Sequence, residues 1–484
     1  MNEVVLGLDS STQSTKAVAV DLATGQIVAE GRAPHSGRDT QWPGDWWEAL
    51  RIAVEPIVAE GWPVVGISVA GQQHGFVAAD AAGTPLRPAP LWNNTDAASD
   101  AERLNQEANF AAETGTRLVA SVTIAKVAHL ARTEPEALSA IEAICLPHDW
   151  LTWRLTGNLG SDRGEASGSG WWSPISETPR RQLLALAAGE SFASRVRIPE
   201  VLGPNESAGH LTREAAAFLG LRPGIPVGAG TGDNMGAALG IGAAPGHVVV
   251  SLGTSGTVYS VWDEPTADPT GEVCGFADAT GRFLPLACML NCTRVVEDVA
   301  RLTQTPLIEA LDRAGEIEPG ANGLLLMPYL GGERTPNLPH ATGSLLGVGT
   351  SNLNPALLAR AAVDGVAAGL AYCLAALRRL EIDAQEIVLV GGGSAHATWQ
   401  QAIADATGLP VRVLGGKEHV ALGAAIQAAS VATGVPVVEL SERWRPEVVA
   451  NAVPRAGLGD RFRMAERQAL IDAKRARAAI APSA

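Results

Sequence analysis

Two well-defined nucleotide-binding signatures are missing from this chain. It contains no GxxxxGK[ST], and no GxGxxG follows an apolar run and opens a helix. A P-loop and a dinucleotide-type turn are therefore excluded as routes to phosphate chemistry. Cysteine is sparse, with five residues, an odd number, and no CxxC pair. That excludes a disulfide framework and reads as reduced thiols. Cys288 and Cys292 are four apart and could share a helix face, but two thiols without a neighbouring His do not make a zinc site. Positive charge is also short: 36 Lys and Arg against 51 Asp and Glu give a formal net charge of −15. Neither nucleic acid nor an anionic membrane is attracted to such a surface, so neither is an expected partner. No stretch approaches the roughly 20 apolar residues of a membrane span. The opening "MNEVV" has no basic region leading into an apolar one, so no signal peptide is expected and the expected compartment is the cytoplasm.

What is present begins with "VVLGLDSSTQSTKAV" at 4–18. A mostly β-branched run delivers a lone carboxylate, Asp9, to a cluster of hydroxyl residues followed by Lys16. The plain reading is a hairpin turn rich in Ser and Thr, which bond their own backbone. The functional reading is a phosphate-handling turn with Asp9 near a metal ion. Residues 4–8, 15–20 and 26–31 read as an antiparallel meander. "PGDWWEALRIAVEPIVAEG" has helical spacing at Trp46, Trp47, Leu50, Val54 and Val58, and "PVVGISVAG" at 63–71 reads as a buried parallel strand.

The same grammar recurs. "GHVVVSLGTSGTVYSV" at 246–261 is again β run, Gly/Ser/Thr turn and β run, with Gly253 in the place of Asp9. Residues 386–408 and 409–434 each read as strand, Gly turn and helix. Repetition of one supersecondary unit marks a duplicated architecture. The expectation is α/β, two similar lobes spanning 1–243 and 244–484, with the ligand in a central cleft. The tail after about 455 reads as a charged, Ala-rich surface helix.

An acceptor alcohol needs a group to take its proton. "GAGTGDNMGAALG" at 228–240 supplies Asp233 and Asn234 among glycines that permit close approach. The competing reading makes Asp233 a helix cap in a Gly-rich hinge. His74, at the end of an apolar strand and beside Gln73 and Gly75, is either a structural histidine or a hydrogen-bonding contact for a ligand. Trp92 is either core or a ring against a ligand, and Glu333 and Arg334 either bridge the lobes or belong to the site.

The motifs "GLDSSTQSTKAV", "AGQQHG", "PLWNN", "GTGDN", "SLGTSG", "YLGGERTP", "VLVGGGSAH" and "ALGAAIQAA" occur in the order found in FGGY carbohydrate kinases. The chain resembles that family over nearly its whole length. The resemblance implies the ribonuclease-H-like fold of the actin, heat-shock chaperone and sugar kinase superfamily. It implies Asp233 as catalytic base and Asp9 as the carboxylate that works with Mg²⁺. It also implies a nucleotide site for ATP made of Thr12, Gln13, Ser14 and Lys16, of Gly253, Thr254 and Ser255, and of Gly392 and Gly393. The sugar side would be Gln73, His74, Trp92, Asn93 and Asn234. Ser11 stands where Gly is usual, Gln73 where Met is usual, Asp96 where Arg is common and His129 where Trp is common.

"AGQQHG" and "LWNN" are most similar to the xylulokinase branch. The implied activity is phosphorylation of a ketopentose, D-xylulose first, with a polyol or another ketose (ribulose, glycerol, gluconate) as the alternative. The rival from another class is a nucleotide-switched scaffold or chaperone, against which the intact "GTGDN" speaks. The implied partners are the small-molecule sugar and ATP, and a homodimer is compatible with the sequence.

Overall fold

The computed structural model describes residues 2–458 and Phe462. The expected C-terminal helix falls on residues outside these. The described chain forms two compact α/β units. One is the chain up to Ala243 with Trp262–Leu284 and Glu418–Pro446; the other is Ala244–Val261 with Pro285–Lys417 and the described residues from Glu447.

In the first unit the meander forms as Val4–Ser10, Ser14–Asp21 and Ile27–Pro34, paired antiparallel. Val64–Gly71 then pairs parallel with Val4–Ser10. Beyond it lie Pro226–Gly228 and Thr231–Gly232, each parallel to Val64–Gly71. Every residue of Val4–Ser10 is buried, because both faces of the strand are covered. Val4, Leu6 and Leu8 point to one side and share a core with Trp46, Leu50, Ala53 and Ile57 of the helix Pro43–Ala59. That helix starts on Pro43, whose missing N–H costs nothing in the first turn, with Asp45 favourably placed at the same end.

On the other side lies the helix His419–Thr433, distant in sequence from the strand it covers. It also packs backbone to backbone on the helix Asp233–Gly240. A Cβ at Gly423 would run into the Gly236 carbonyl, so this close approach requires glycine.

In the second unit the hairpin Gly246–Leu252 and Gly256–Ser260 is antiparallel, and Gly246–Leu252 pairs parallel with Ala384–Val390. The sheet continues through Val411–Leu414 to the antiparallel edge strand Val448–Ala452. Hairpin followed by parallel strand thus recurs in each unit, as the repeat in the sequence implied.

Two local expectations change. The helix Pro355–Arg378 is, by length and composition, long and apolar enough to cross a membrane, contrary to the reading that no such stretch exists. Most of it is buried within the chain, and its Arg360 and Asp364 are paired at 2.6 Å; this is the environment of a core helix. Cys288 and Cys292 do not share a helix face, because Cys288 lies in the strand Phe283–Met289 and Cys292 precedes the helix Thr293–Leu302. None of the five cysteines is joined in a disulfide.

Candidate active site

Three parallel strand ends deliver the polar residues of the first unit. In register, Asp9 pairs with Ala70 and Ser10 with Gly71; on the opposite edge Thr231 pairs with Ala70 and Gly232 with Gly71. Asp9 therefore ends one strand, Gln73 and His74 follow the next, and Asp233 and Asn234 follow the third. Ligands of α/β sheets collect at such carboxyl ends.

Asp233 is the first residue of its helix, not its cap, which is Gly232. Its Oδ1 accepts from the Asn234 backbone N–H at 2.8 Å and from Asn234 Nδ2 at 2.9 Å. Asn234 Nδ2 also donates to Gln73 Oε1 at 3.0 Å, so the "GTGDN" and "AGQQHG" segments are joined directly. The loop before Asp233 is fixed from behind. Thr231 Oγ1 donates to Asp162 Oδ2 at 3.2 Å, and Asp162 caps the helix Arg163–Gly168 and meets His148 Nε2 at 3.1 Å. Asp233 is part-exposed, yet its carboxyl is pushed up to about 7, first by desolvation and then by the charge of Asp9.

Asp9 is buried and its carboxyl is raised to about 6, chiefly by desolvation, with the Ser11 hydrogen bond and Lys16 acting against it. Lys16 Nζ sits 3.8 Å from Asp9 Oδ2 and 2.6 Å from Glu418 Oε2. Thr12 joins the turn of the first hairpin to the "LWNN" segment, because its Oγ1 accepts from Trp92 Nε1 at 2.9 Å. Ser14 is buried and its Oγ accepts from Arg32 Nε at 3.2 Å, whereas Gln13 is exposed. Asn93 is exposed and its amide donates to the Arg38 carbonyl at 2.9 Å.

In the second unit the turn Gly253–Ser255 is tied down through its carbonyls. Gly253 O accepts from Thr293 N at 3.0 Å, and Thr254 O from Cys292 N at 3.2 Å. The Gly391–Gly393 turn lies on the end of the same strand. A Cβ at Gly393 would meet the Leu252 side chain at 2.7 Å, whereas one at Gly392 would meet nothing within 4 Å. The two candidate nucleotide turns of this unit are therefore adjacent, with open space over Gly392.

Glu165 was not singled out in the sequence. It is fully buried, and among the described residues neither carboxylate oxygen has a hydrogen-bond partner. A Cβ on Gly232 would lie 2.8 Å from its Oε1. Burial first, then the charges of Asp149, Asp162 and Asp233, push it well above the usual carboxylate range; Gln73 lies close enough to ease that shift but not to satisfy the group. The only hint in the sequence was an acid within the Gly-rich "GSDRGEASGSG".

Glu333, by contrast, is absorbed locally, accepting from Leu290 N at 2.6 Å and Asn291 Nδ2 at 2.9 Å.

Residues 4–240 match the N-terminal domain of the FGGY family of carbohydrate kinases, and residues 248–432 its C-terminal domain. The chain is 44% identical to the xylulose kinase of Streptomyces coelicolor, over 93% of each chain. It is 45% identical to the xylulose kinase of Streptomyces rubiginosus, over 91% of this chain and 90% of that one. Among solved structures it is similar to xylulose kinase from Bifidobacterium adolescentis, with a TM-score of 0.86, 35% identity, and coverage of 96% of this chain and 99% of the other. The chain belongs to the FGGY family of carbohydrate kinases.

Proposed function

We propose that the chain transfers the γ-phosphoryl group of ATP to a ketopentose, D-xylulose to D-xylulose 5-phosphate, in the cytoplasm. The observation that carries the chemistry is Asp233. It is a part-exposed carboxyl held near pKa 7, with one oxygen pinned by Asn234 and the strand ends of Asp9 and Gln73 beside it. Such a group matches the requirement for a general base working near neutral pH. The substrate class follows the xylulose kinases to which the chain is similar over most of its length.

In this reading Gln73, His74, Trp92 and Asn234 orient the sugar, with Asn93 at the rim. The terminal hydroxyl attacks the γ-phosphorus while its proton passes to Asp233. The bond to the β–γ bridging oxygen breaks and ADP leaves. Proton transfer is late because the transition state is loose, so most of the rate comes from positioning and charge stabilisation. Thr12, Gln13, Ser14 and Lys16, with Gly253–Ser255 and Gly392–Gly393, are assigned to the nucleotide.

The donor set suits Mg²⁺. No group of three or more His, Cys, Asp or Glu able to hold a metal occurs among the described residues, but Mg²⁺ is usually bound by one or two carboxylates plus substrate phosphates. Asp9, buried and raised by desolvation, is the residue that would hold it. When bound, the ion would neutralise charge on the phosphates.

The test is a coupled assay with Mg-ATP across pentuloses, polyols and gluconate. The highest kcat/KM is expected for D-xylulose, and a higher value for any other acceptor overturns the assignment.

A further inference from the structure

His74 has a positive φ of 65°. For a residue with a Cβ, the left-handed region costs about 1–2 kcal/mol, and such a conformation persists where its surroundings over-determine it. Here they do. The His74 carbonyl accepts from Thr123 Oγ1 at 3.2 Å and from Lys126 Nζ at 3.0 Å. The ring is held separately, with Nδ1 at 2.9 Å from Gly168 O and a tilted contact to Phe276 at 5.5 Å between centroids. A Cβ on Gly168 would lie 2.8 Å from His74 Cε1, so the ring fits only against glycine.

Lys126 is an unexpected group in this place. It is 3% exposed, and its amine reaches backbone carbonyls, those of His74 and Ser121. Among the described residues no carboxylate pairs with it. It also lies in the first turn of the helix Thr123–Thr133, where the helix dipole disfavours a cation. Desolvation lowers its pKa to about 7. Nothing in its own helix rewards that placement, and a Met would fill the same volume. What the amine adds is a second donor on the carbonyl of a residue held in a strained conformation.

We propose that Lys126, together with Thr123, is a positioning residue for sugar selection, clamping the His74 carbonyl so that the imidazole is presented to the substrate in a single orientation. This rests on the reading above, in which His74 contacts the sugar. Loss of the amine frees the His74 backbone to relax, and the polar site that discriminates hydroxyl stereochemistry loosens.

The experiment is Lys126→Met, assayed with D-xylulose and D-ribulose, alone and in a His74→Ala background. The single variant is expected to raise the KM for xylulose about tenfold, the order of effect of losing one buried hydrogen bond. The ATP KM should stay within twofold, and the xylulose-to-ribulose ratio of kcat/KM should fall. On His74→Ala the same change should add nothing further, since both act through one contact. Equal rises in both KM values, or full additivity, would overturn the clamp. Thr123→Val, which removes the other donor, should give the same pattern more weakly and serves if Lys126→Met fails to fold. A sugar-free readout separates this proposal from the substrate assignment: the imidazole ¹⁵N resonances of His74, assigned by their loss in His74→Ala, should move in Lys126→Met or Thr123→Val. If the wild type does not turn over xylulose, the assignment fails, and the resonances alone decide the clamp. Unmoved resonances reject it.

Discussion

Asp9 and Asp233 stand at the carboxyl ends of strands that flank Val64–Gly71 on opposite edges, Asp9 level with Ala70 and Asp233 one residue beyond the Gly232–Gly71 pair. Both carboxyls are raised above their ordinary value, each chiefly by desolvation, and the charge of Asp9 adds to the shift of Asp233. In the proposed reaction Asp9 faces the cation and Asp233 accepts the proton.

Asp233→Asn should lower kcat by about 10²–10⁴, the usual contribution of a positioned base, with the ATP KM near wild type. The same substitution should raise the melting temperature at pH 8. A carboxyl whose folded pKa lies above its unfolded value binds more protons when folded, so its destabilising effect sets in above about pH 4 and is complete above about pH 7. Turnover within a few-fold of wild type would remove Asp233 from the base role.

The kcat/KM of the wild type should fall as pH drops through about 7, not through the ordinary carboxylate range near 4, because only ionised Asp233 accepts the proton. A profile flat down to pH 5 would show that no group with this pKa limits the reaction.

Asp9→Asn should reduce kcat and move the Mg²⁺ dependence to higher concentration, since the variant keeps the shape and loses the charge. The measurement is a Mg²⁺ titration at saturating ATP and sugar. An unchanged midpoint would leave Asp9 a structural part of the turn with Ser11 and Lys16.

Gly391→Ala should raise the ATP KM more than the sugar KM and lower stability. Gly391 has φ 91°, and a Cβ there would lie 2.8–3.0 Å from the Leu252 backbone, on the strand leading to Gly253. Strain of this kind costs about 1–3 kcal/mol. Kinetics for each substrate, with thermal unfolding, decide it; equal changes in both KM values would detach the turn from the nucleotide.

Much of the fold was legible because its signals are local. β-branched runs broken by Gly, Ser and Thr marked both hairpins, and the apolar run ending at Gly71 marked the parallel strand. Asp9 and Asp233 stood out because a single acid among small residues at a strand end is visible within a few positions of sequence. The glycine turns at 253 and 391–393 were legible for the same reason.

Other features depended on the path of the chain. The Gln73–Asn234 bond joins residues 161 apart, and Trp92 reaches Thr12 across 80 positions. The helix His419–Thr433 reads as the end of the second repeat, yet it covers the first sheet. Glu165 and Lys126 looked like ordinary charged residues, and only folding removed them from water and set one against Gln73 and the other against His74. The sequence by itself determined which segments become strands, turns and helices, since hydrophobic period and turn chemistry act over a few residues. Tertiary structure alone decided which polar groups lose solvent and what they meet, because desolvation and long-range hydrogen bonds exist only once distant segments are packed together.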